Sequence, residues 1–284
     1  MIEYIEKLTE AVDKGLVKGI DPSRGVLEEA IHYALSVKGK RLRPLLFLTL
    51  IDAYEKDPLE YIDIACAIEC IHTYSLIHDD LPSMDNDDYR RGMPTVHKKY
   101  NDAIALLAGD TLLTYAFERI SRSKAAPQKI VNILRILTAG IGTEGMAGGQ
   151  ALDLEFKGDK EIIFEIHRKK TAMLINACFL SAAEIIGMSD EKKERLTQAG
   201  IAIGIAFQMA DDLLDIEGDE EEVGKKLKKD LGNHSPNSVL FYGKEFIKKE
   251  IDTYYEKTIK LLKELKIDFA PFLFLMEKMV YRSK

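Results

Sequence analysis

The chain is 284 residues long, 46% hydrophobic and 31% charged, with a formal net charge of -7. That length accommodates one large core or two ordinary domains. Its 40 basic residues are spread along the sequence rather than massed, so no nucleic-acid partner is expected.

Residues 1–19, MIEYIEKLTEAVDKGLVKG, mix acids with apolar residues and lack the uninterrupted apolar stretch of a signal peptide. The longest apolar runs, PLLFLTLI (44–51) and IAIGIAF (201–207), are too short to span a bilayer. A cytoplasmic protein without a membrane anchor is expected. Just before the first of these runs, KGKRLRP (38–44) sets Lys38, Lys40, Arg41 and Arg43 in one short turn. Apolar residues then recur at three- and four-residue spacing over 60–78, 101–120, 130–149 and 174–188, the mark of helices. Cys66 and Cys70 fall on one face of the first of these. With Cys178 they form no CxxC pair and no zinc set, and read as buried free thiols in a reducing compartment. Breaks such as RRGMP, SKAAPQ and GMSDEKK suit helices of roughly 15–25 residues. Alternating strand patterns with Asn-Gly or Gly-Gly turns are absent. Several helices are apolar nearly all round and belong in the middle of a bundle. The expected fold is a single all-α domain over residues 1–284.

The stretch HDDLPSMDNDDYRRG (78–92) crowds five aspartates and two arginines into fifteen positions. Asp79 and Asp80 close an apolar helical run that Pro82 must stop or kink. Carboxylates at a helix C-terminus meet the unfavourable end of the macrodipole, so a compensating ligand is expected. A second cluster, FQMADDLLD (207–215), again closes an apolar run. Asp211 and Asp215, four apart, project from one helical face with Asp212 beside them. A calcium loop fails at both, because Arg90 and Glu220 stand where its glycine is required. Two carboxylate groups on facing helices suit magnesium, which takes a few carboxylates, waters and phosphate oxygens. Metal held this way attracts a diphosphate that bare acids would repel. Arg90 and Arg91 follow the first cluster, and HRKKT (167–171) and GKKLKK (224–229) add further cations suited to phosphate. Two anionic ligands are implied, one held through metal and one by side chains. His72, two helical turns before Asp79 on the same face, is a candidate substrate contact.

These residues resemble the trans-prenyl diphosphate synthases, the chain-elongating isoprenoid enzymes, and the chain is identified as a member of that family. The resemblance runs through GKRLRP (39–44), HTYSLIHDDLPSMDNDDYRRGMPTVH (72–97), LAGDTLL (107–113), GGQALDLE (148–155), HRKKTAMLI (167–175) and GIAFQMADDLLDIEGD (204–219), followed by Gly224 and Lys225. It implies a large bundle of long helices around a central cavity and a homodimer. It also implies isopentenyl diphosphate bound by Gly39, Lys40, Arg43, His72 and Arg91. The allylic partner, dimethylallyl or geranyl diphosphate, would meet Arg90, Lys170, Gln208 and Lys225. Mg2+ would sit on Asp79, Asp85 and Asp211, with Asp80, Asp212 and Asp215 completing the two motifs. Lys170, Thr171 and Gln208 would face the allylic cation or clamp the leaving group, and Arg282 and Lys284 would cover the isopentenyl site.

Tyr74 and Ser75, five and four residues before Asp79, are the candidate floor under the growing chain. Helix geometry alone leaves open which of them blocks. Tyr74 together with the expansion DDLPSMD resembles bacterial enzymes that stop at farnesyl diphosphate. Geranylgeranyl or geranyl diphosphate synthesis is the alternative; a terpene cyclase or a non-catalytic partner subunit is the remoter one. After Lys225 the family pattern is broken: LGNHSPNSVLFYG places His234 or Ser235 where a lysine is usual, followed by Pro236.

Overall fold

In the computed structural model, residues 1–217 and 236–281 are described. Helices dominate, in two compact units: residues 1–48 with 57–126, and residues 49–56 with 127–281.

The first unit begins with α1 (Ile2–Val17), whose Leu8, Val12 and Leu16 recur every four residues and are buried. That stripe packs on α4 (Ile62–Asp79), where Ile64 to Ile71 are buried without interruption. A helix buried on every side shows no amphipathic period, which is why its sequence is apolar all round. Between them come α2 (Val26–Ser36) and α3 (Leu42–Asp52), which runs on into the second unit. After the short α5 (Val96–Lys99), α6 (Asp102–Ser121) lies along α4. Asn101 starts α6 by accepting a hydrogen bond from Ile104 N at 2.9 Å, satisfying one of the first-turn donors. Gly109 brings α4 and α6 together at one point: a Cβ there would lie 2.1 Å from the His78 ring.

The second unit holds α7 (Pro127–Ile141), α8 (Met146–Leu154), α9 (Ile163–Ile166), α10 (Met173–Ile186) and α11 (Asp190–Glu217), a 28-residue helix. Residues His167–Ala172 join α9 to α10 as a π-helical turn. Gly187, left-handed at φ 87°, closes α10. After the undescribed segment come α12 (Ser238–Tyr242), α13 (Lys244–Glu264) and α14 (Ala270–Val280). Both α10 and α13 pack on α11. No helix among the described residues is long and apolar enough to cross a membrane.

The all-α expectation holds with one small departure. Tyr89–Arg90 (β1) pairs antiparallel with Met93–Pro94 (β2), and Arg91 and Gly92 form the turn at φ 53° and 74°. Positive φ at both central residues is the hairpin geometry that matches strand twist. Two-residue strands carry no alternation, so the pattern was not visible in the sequence.

Candidate active site

In the first unit α4 ends at Asp79, as Pro82 requires, and the chain folds back at once. Asp85 N donates to Asp79 O at 2.8 Å, so the six-residue separation collapses and the first and last acids of the motif become backbone neighbours. Asp79 is half-buried and Asp85 exposed. Asp80 faces inward, 4% exposed, and takes a two-pronged contact from Arg90: Nε at 2.8 Å and Nη2 at 2.5 Å, both to Oδ1. Burial pushes the Asp80 carboxyl above its usual range, while the Arg90 hydrogen bonds and charge pull the other way. The β1–β2 hairpin is what brings Arg90 back to Asp80. Asp88 pairs with Lys98 at 2.9 Å.

The same hairpin sends Arg91 toward the cation loop, where a Cβ at Gly39 would lie 2.3 Å from Arg91 Nη1. A side chain at 39 would displace the Arg91 guanidinium from this place. Arg43 Nη1 lies 3.3 Å from His72 Nε2, so Gly39, Arg43, His72 and Arg91 come together, with Lys40 exposed between the first two. Desolvation, then Arg43, Arg91, Arg90 and Arg41, hold the His72 imidazole well below its ordinary value, so it is neutral at pH 7. Tyr74 is half-buried, its ring edge-on to His78 with centroids 5.8 Å apart. Ser75 Oγ donates to His72 O at 2.9 Å, within its own helix.

In the second unit α11 carries Asp211 and Asp215, both half-buried, on one helical face as their spacing required. Asp212 turns inward, 5% exposed, into a dense set of donors. Its Oδ2 accepts from Ser238 N at 2.7 Å and Ser238 Oγ at 2.6 Å, and lies 3.2 Å from His167 Nε2. Its Oδ1 accepts from Gln208 Nε2 at 3.1 Å, and Asn237 Nδ2 donates to its backbone oxygen. Burial raises the Asp212 carboxyl, but His167 and Ser238 more than reverse this and leave it below the usual carboxylate range. Thr171 Oγ1 donates to Gln208 Oε1 at 2.6 Å, so Thr171, Gln208 and Asp212 form one chain. Lys170 pairs with Asp153 on α8. Gly149 allows that helix to lie on the π turn, since a Cβ there would be 2.2 Å from Lys170 N. A π turn shifts the residues that follow it around the helix and recurs at functional sites.

His167, Asn237, Ser238 and Asp153 were not selected from the sequence as site residues. Asn237 alone carried a usable signal, a helix-capping residue ahead of an apolar segment, and it does cap α12 through Val239 N at 3.0 Å. Gly224, Lys225, His234, Ser235, Arg282 and Lys284 lie outside the described residues.

Among the described residues no three His, Cys, Asp or Glu side chains gather closely enough to enclose a metal ion. The exposed and half-buried acids instead offer a sparse set of carboxylate oxygens. That donor set fits a hard cation that keeps its waters and shares phosphate oxygens, and no soft or nitrogen-bound metal.

Helical units carrying two aspartate motifs, a neutral histidine among arginines and a lysine–threonine–glutamine set define the class of all-helical prenyltransferases. Residues 24–266 match the Polyprenyl synthetase family model. The chain is 39% identical to the farnesyl diphosphate synthase of Geobacillus stearothermophilus over 99% of its own length and 97% of that protein's. It is 41% identical to geranylgeranyl pyrophosphate synthase 7 of Arabidopsis thaliana, over 81% of this chain and 68% of the plant protein. A geranyltransferase from Helicobacter pylori, solved in complex with magnesium and isoprenyl diphosphate, superposes with a TM-score of 0.86 at 34% identity. That match covers 98% of this chain and 95% of the other. The protein belongs to the polyprenyl synthetase family and is a prenyltransferase of isoprenoid biosynthesis, a family that works with divalent metal.

Proposed function

We propose that the chain condenses isopentenyl diphosphate head-to-tail (1'-4) with dimethylallyl and then geranyl diphosphate, releasing pyrophosphate and ending at farnesyl diphosphate. The observation that carries this reading is its near full-length similarity to farnesyl diphosphate synthases. The whole chain acts as one catalytic domain, as a cytoplasmic homodimer. The metal is Mg2+, and Asp79, Asp85, Asp211 and Asp215 would hold it. When bound, it stabilises negative charge on the departing diphosphate. Asp80, buried against Arg90, and Asp212, buried among Ser238, Gln208 and His167, fix the two motifs rather than meeting the ion.

The chain's own groups do the rest. Lys170 and Arg90 counter charge on the allylic diphosphate as its carbon–oxygen bond breaks, with Lys225 as a further contact. Thr171 and Gln208 present oxygen dipoles to the allylic cation left behind. Gly39, Lys40, Arg43, His72 and Arg91 hold isopentenyl diphosphate so that its double bond attacks that cation. The proton lost from the resulting carbocation goes to the departing pyrophosphate. No serine or cysteine nucleophile is needed, and the three thiols are buried. Tyr74 is the floor that stops growth, with Ser75 beside it.

The test is incubation with Mg2+, dimethylallyl diphosphate and labelled isopentenyl diphosphate, with chromatography of the products. Farnesyl diphosphate is expected, and EDTA abolishes turnover. A geranylgeranyl product would favour the second reading, for which the similarity to geranylgeranyl synthases speaks. Inertness, or turnover that survives complete chelation, would refute both.

A further inference from the structure

Arg41 sits inside the cation loop but does not share the exposure of Lys40. It is 3% exposed, and its backbone holds φ at 45°, a left-handed value that a branched-chain-free but bulky arginine adopts only under constraint. The constraint is its own side chain. Nε donates to Asp13 Oδ1 at 2.8 Å and Nη1 to Glu69 Oε1 at 2.9 Å. Nη2 donates to Leu35 O at 2.9 Å and Val37 O at 3.0 Å. These bonds reach α1, α4 and the end of α2, so one guanidinium ties three helices to the loop. Its backbone oxygen accepts from Leu45 N at 3.1 Å, which starts α3.

Glu69, in the middle of α4, is 1% exposed. His72 follows it by three residues, one turn along the same face. The loop therefore docks on α4 at two successive rungs, Arg41 on Glu69 and Arg43 on His72. Glu69 also reaches Arg91 electrostatically, opposing the mutual repulsion of the arginines around it. Cations packed this closely repel one another, and a buried carboxylate beneath them offsets part of that repulsion.

We propose that Arg41, locked by Glu69 and Asp13, is the positioning residue that fixes Lys40, Arg43 and Gly39 for the isopentenyl diphosphate, without touching that substrate itself. This rests on the reading that Lys40 and Arg43 bind that diphosphate. Arginine's planar fork is what the four acceptors match, and a lysine cannot meet them from one point charge.

The experiment measures initial rates with isopentenyl diphosphate and geranyl diphosphate varied separately, for Arg41→Lys, Asp13→Asn and Lys40→Ala. Circular dichroism and gel filtration check each variant's fold. A misplaced loop raises the KM for isopentenyl diphosphate about tenfold in Arg41→Lys, with kcat and the geranyl diphosphate KM within about threefold of the parent. Asp13, partly exposed, holds one arm only, so Asp13→Asn folds and raises the same KM by roughly two- to threefold. If both variants fold and leave the isopentenyl KM at the parent value, or depress kcat alone, the inference is overturned. If Arg41→Lys does not fold, Asp13→Asn decides it by the same criterion. Lys40→Ala separates the two levels: a raised isopentenyl KM there with none in the other variants sinks the positioning role and keeps the binding reading. An unchanged KM in Lys40→Ala sinks both.

Discussion

Replacing Asp212 by alanine tests whether the second acid of its motif is scaffold. The substitution leaves Ser238 N–H and Oγ–H, Gln208 Nε2 and His167 facing a void, all within 3.2 Å of the lost oxygens. Each buried donor left without an acceptor costs about 1–3 kcal/mol. Breaking one side of a buried ionic pair costs about 3–5 kcal/mol, and the two estimates overlap because they describe the same orphaned groups. The substitution therefore costs about 3–5 kcal/mol, a large share of the roughly 5–15 kcal/mol that stabilises a folded domain. Urea unfolding without metal, followed by the helical circular dichroism signal, measures it directly. Asp211→Ala is the control one residue earlier on the same helix, half-buried, with an expected cost below about 1 kcal/mol. If Asp212→Ala unfolds at the parent's midpoint, or Asp211→Ala costs as much, the two acids do not divide scaffold from site.

Tyr74→Ala is expected to lengthen the product beyond farnesyl diphosphate, read by chromatography; an unchanged product removes Tyr74 from that role. Gly149→Ala forces a Cβ to within 2.2 Å of Lys170 N, a backbone atom that cannot swing aside. A cost of about 1–3 kcal/mol and a lower melting temperature follow, and an unchanged melt would show that α8 shifts freely. Burial raises the Glu184 carboxyl, but Lys193 and Asn132 overturn this and leave it below its usual value of 4.5. A depressed folded-state value means stabilisation that is present above about pH 4.5 and lost as the pH falls through the lower folded value. Glu184→Gln is therefore less stable than the parent at pH 7, with the gap closing below pH 4.5; a gap that stays constant with pH would refute the linkage. Burial pushes the Cys66 thiol up to about 11 and Cys70 to about 12, and Cys178 is also buried. A thiol reagent at pH 8 should label none of the three in the native protein and all three in denaturant.

The sequence made some of this visible and hid the rest for definite reasons. Pro82 announced the end of α4, and the spacing of Asp211 and Asp215 announced a shared face, because both depend on local geometry alone. His72 was flagged by its distance from Asp79, again a helix-period argument. Asp80 and Asp212 could not be told from their neighbours, because adjacent acids on a helix are equivalent until something packs against one of them. What packs is remote in sequence: Arg90 through a hairpin with two-residue strands, and His167 and Ser238 from segments on either side. The π turn at His167–Ala172 was equally hidden, since its composition is that of an ordinary helix. In the sequence Arg41 is one more cation of the KGKRLRP turn, and only its burial and left-handed φ set it apart from Lys40.

The two acid motifs solve a common electrostatic problem in different ways. Like charges crowded at a helix tip repel, and a motif that left every carboxylate outward would depend on its ligand even to stay folded. The first motif spends Asp80 on Arg90 and Asp88 on Lys98, and draws Asp85 to Asp79 through a backbone hydrogen bond. The second buries Asp212 among donors instead, closing it with a serine, a glutamine and a histidine. A cation-paired acid is weakened by salt in proportion to its exposure, and the Arg90 side chain is 27% exposed. Asp212 and the donors around it are buried, so salt screens them far less. High salt should therefore loosen the first motif before the second, so a rise in salt that left hydrogen exchange around Asp80 unchanged while accelerating it around Asp212 would contradict this division.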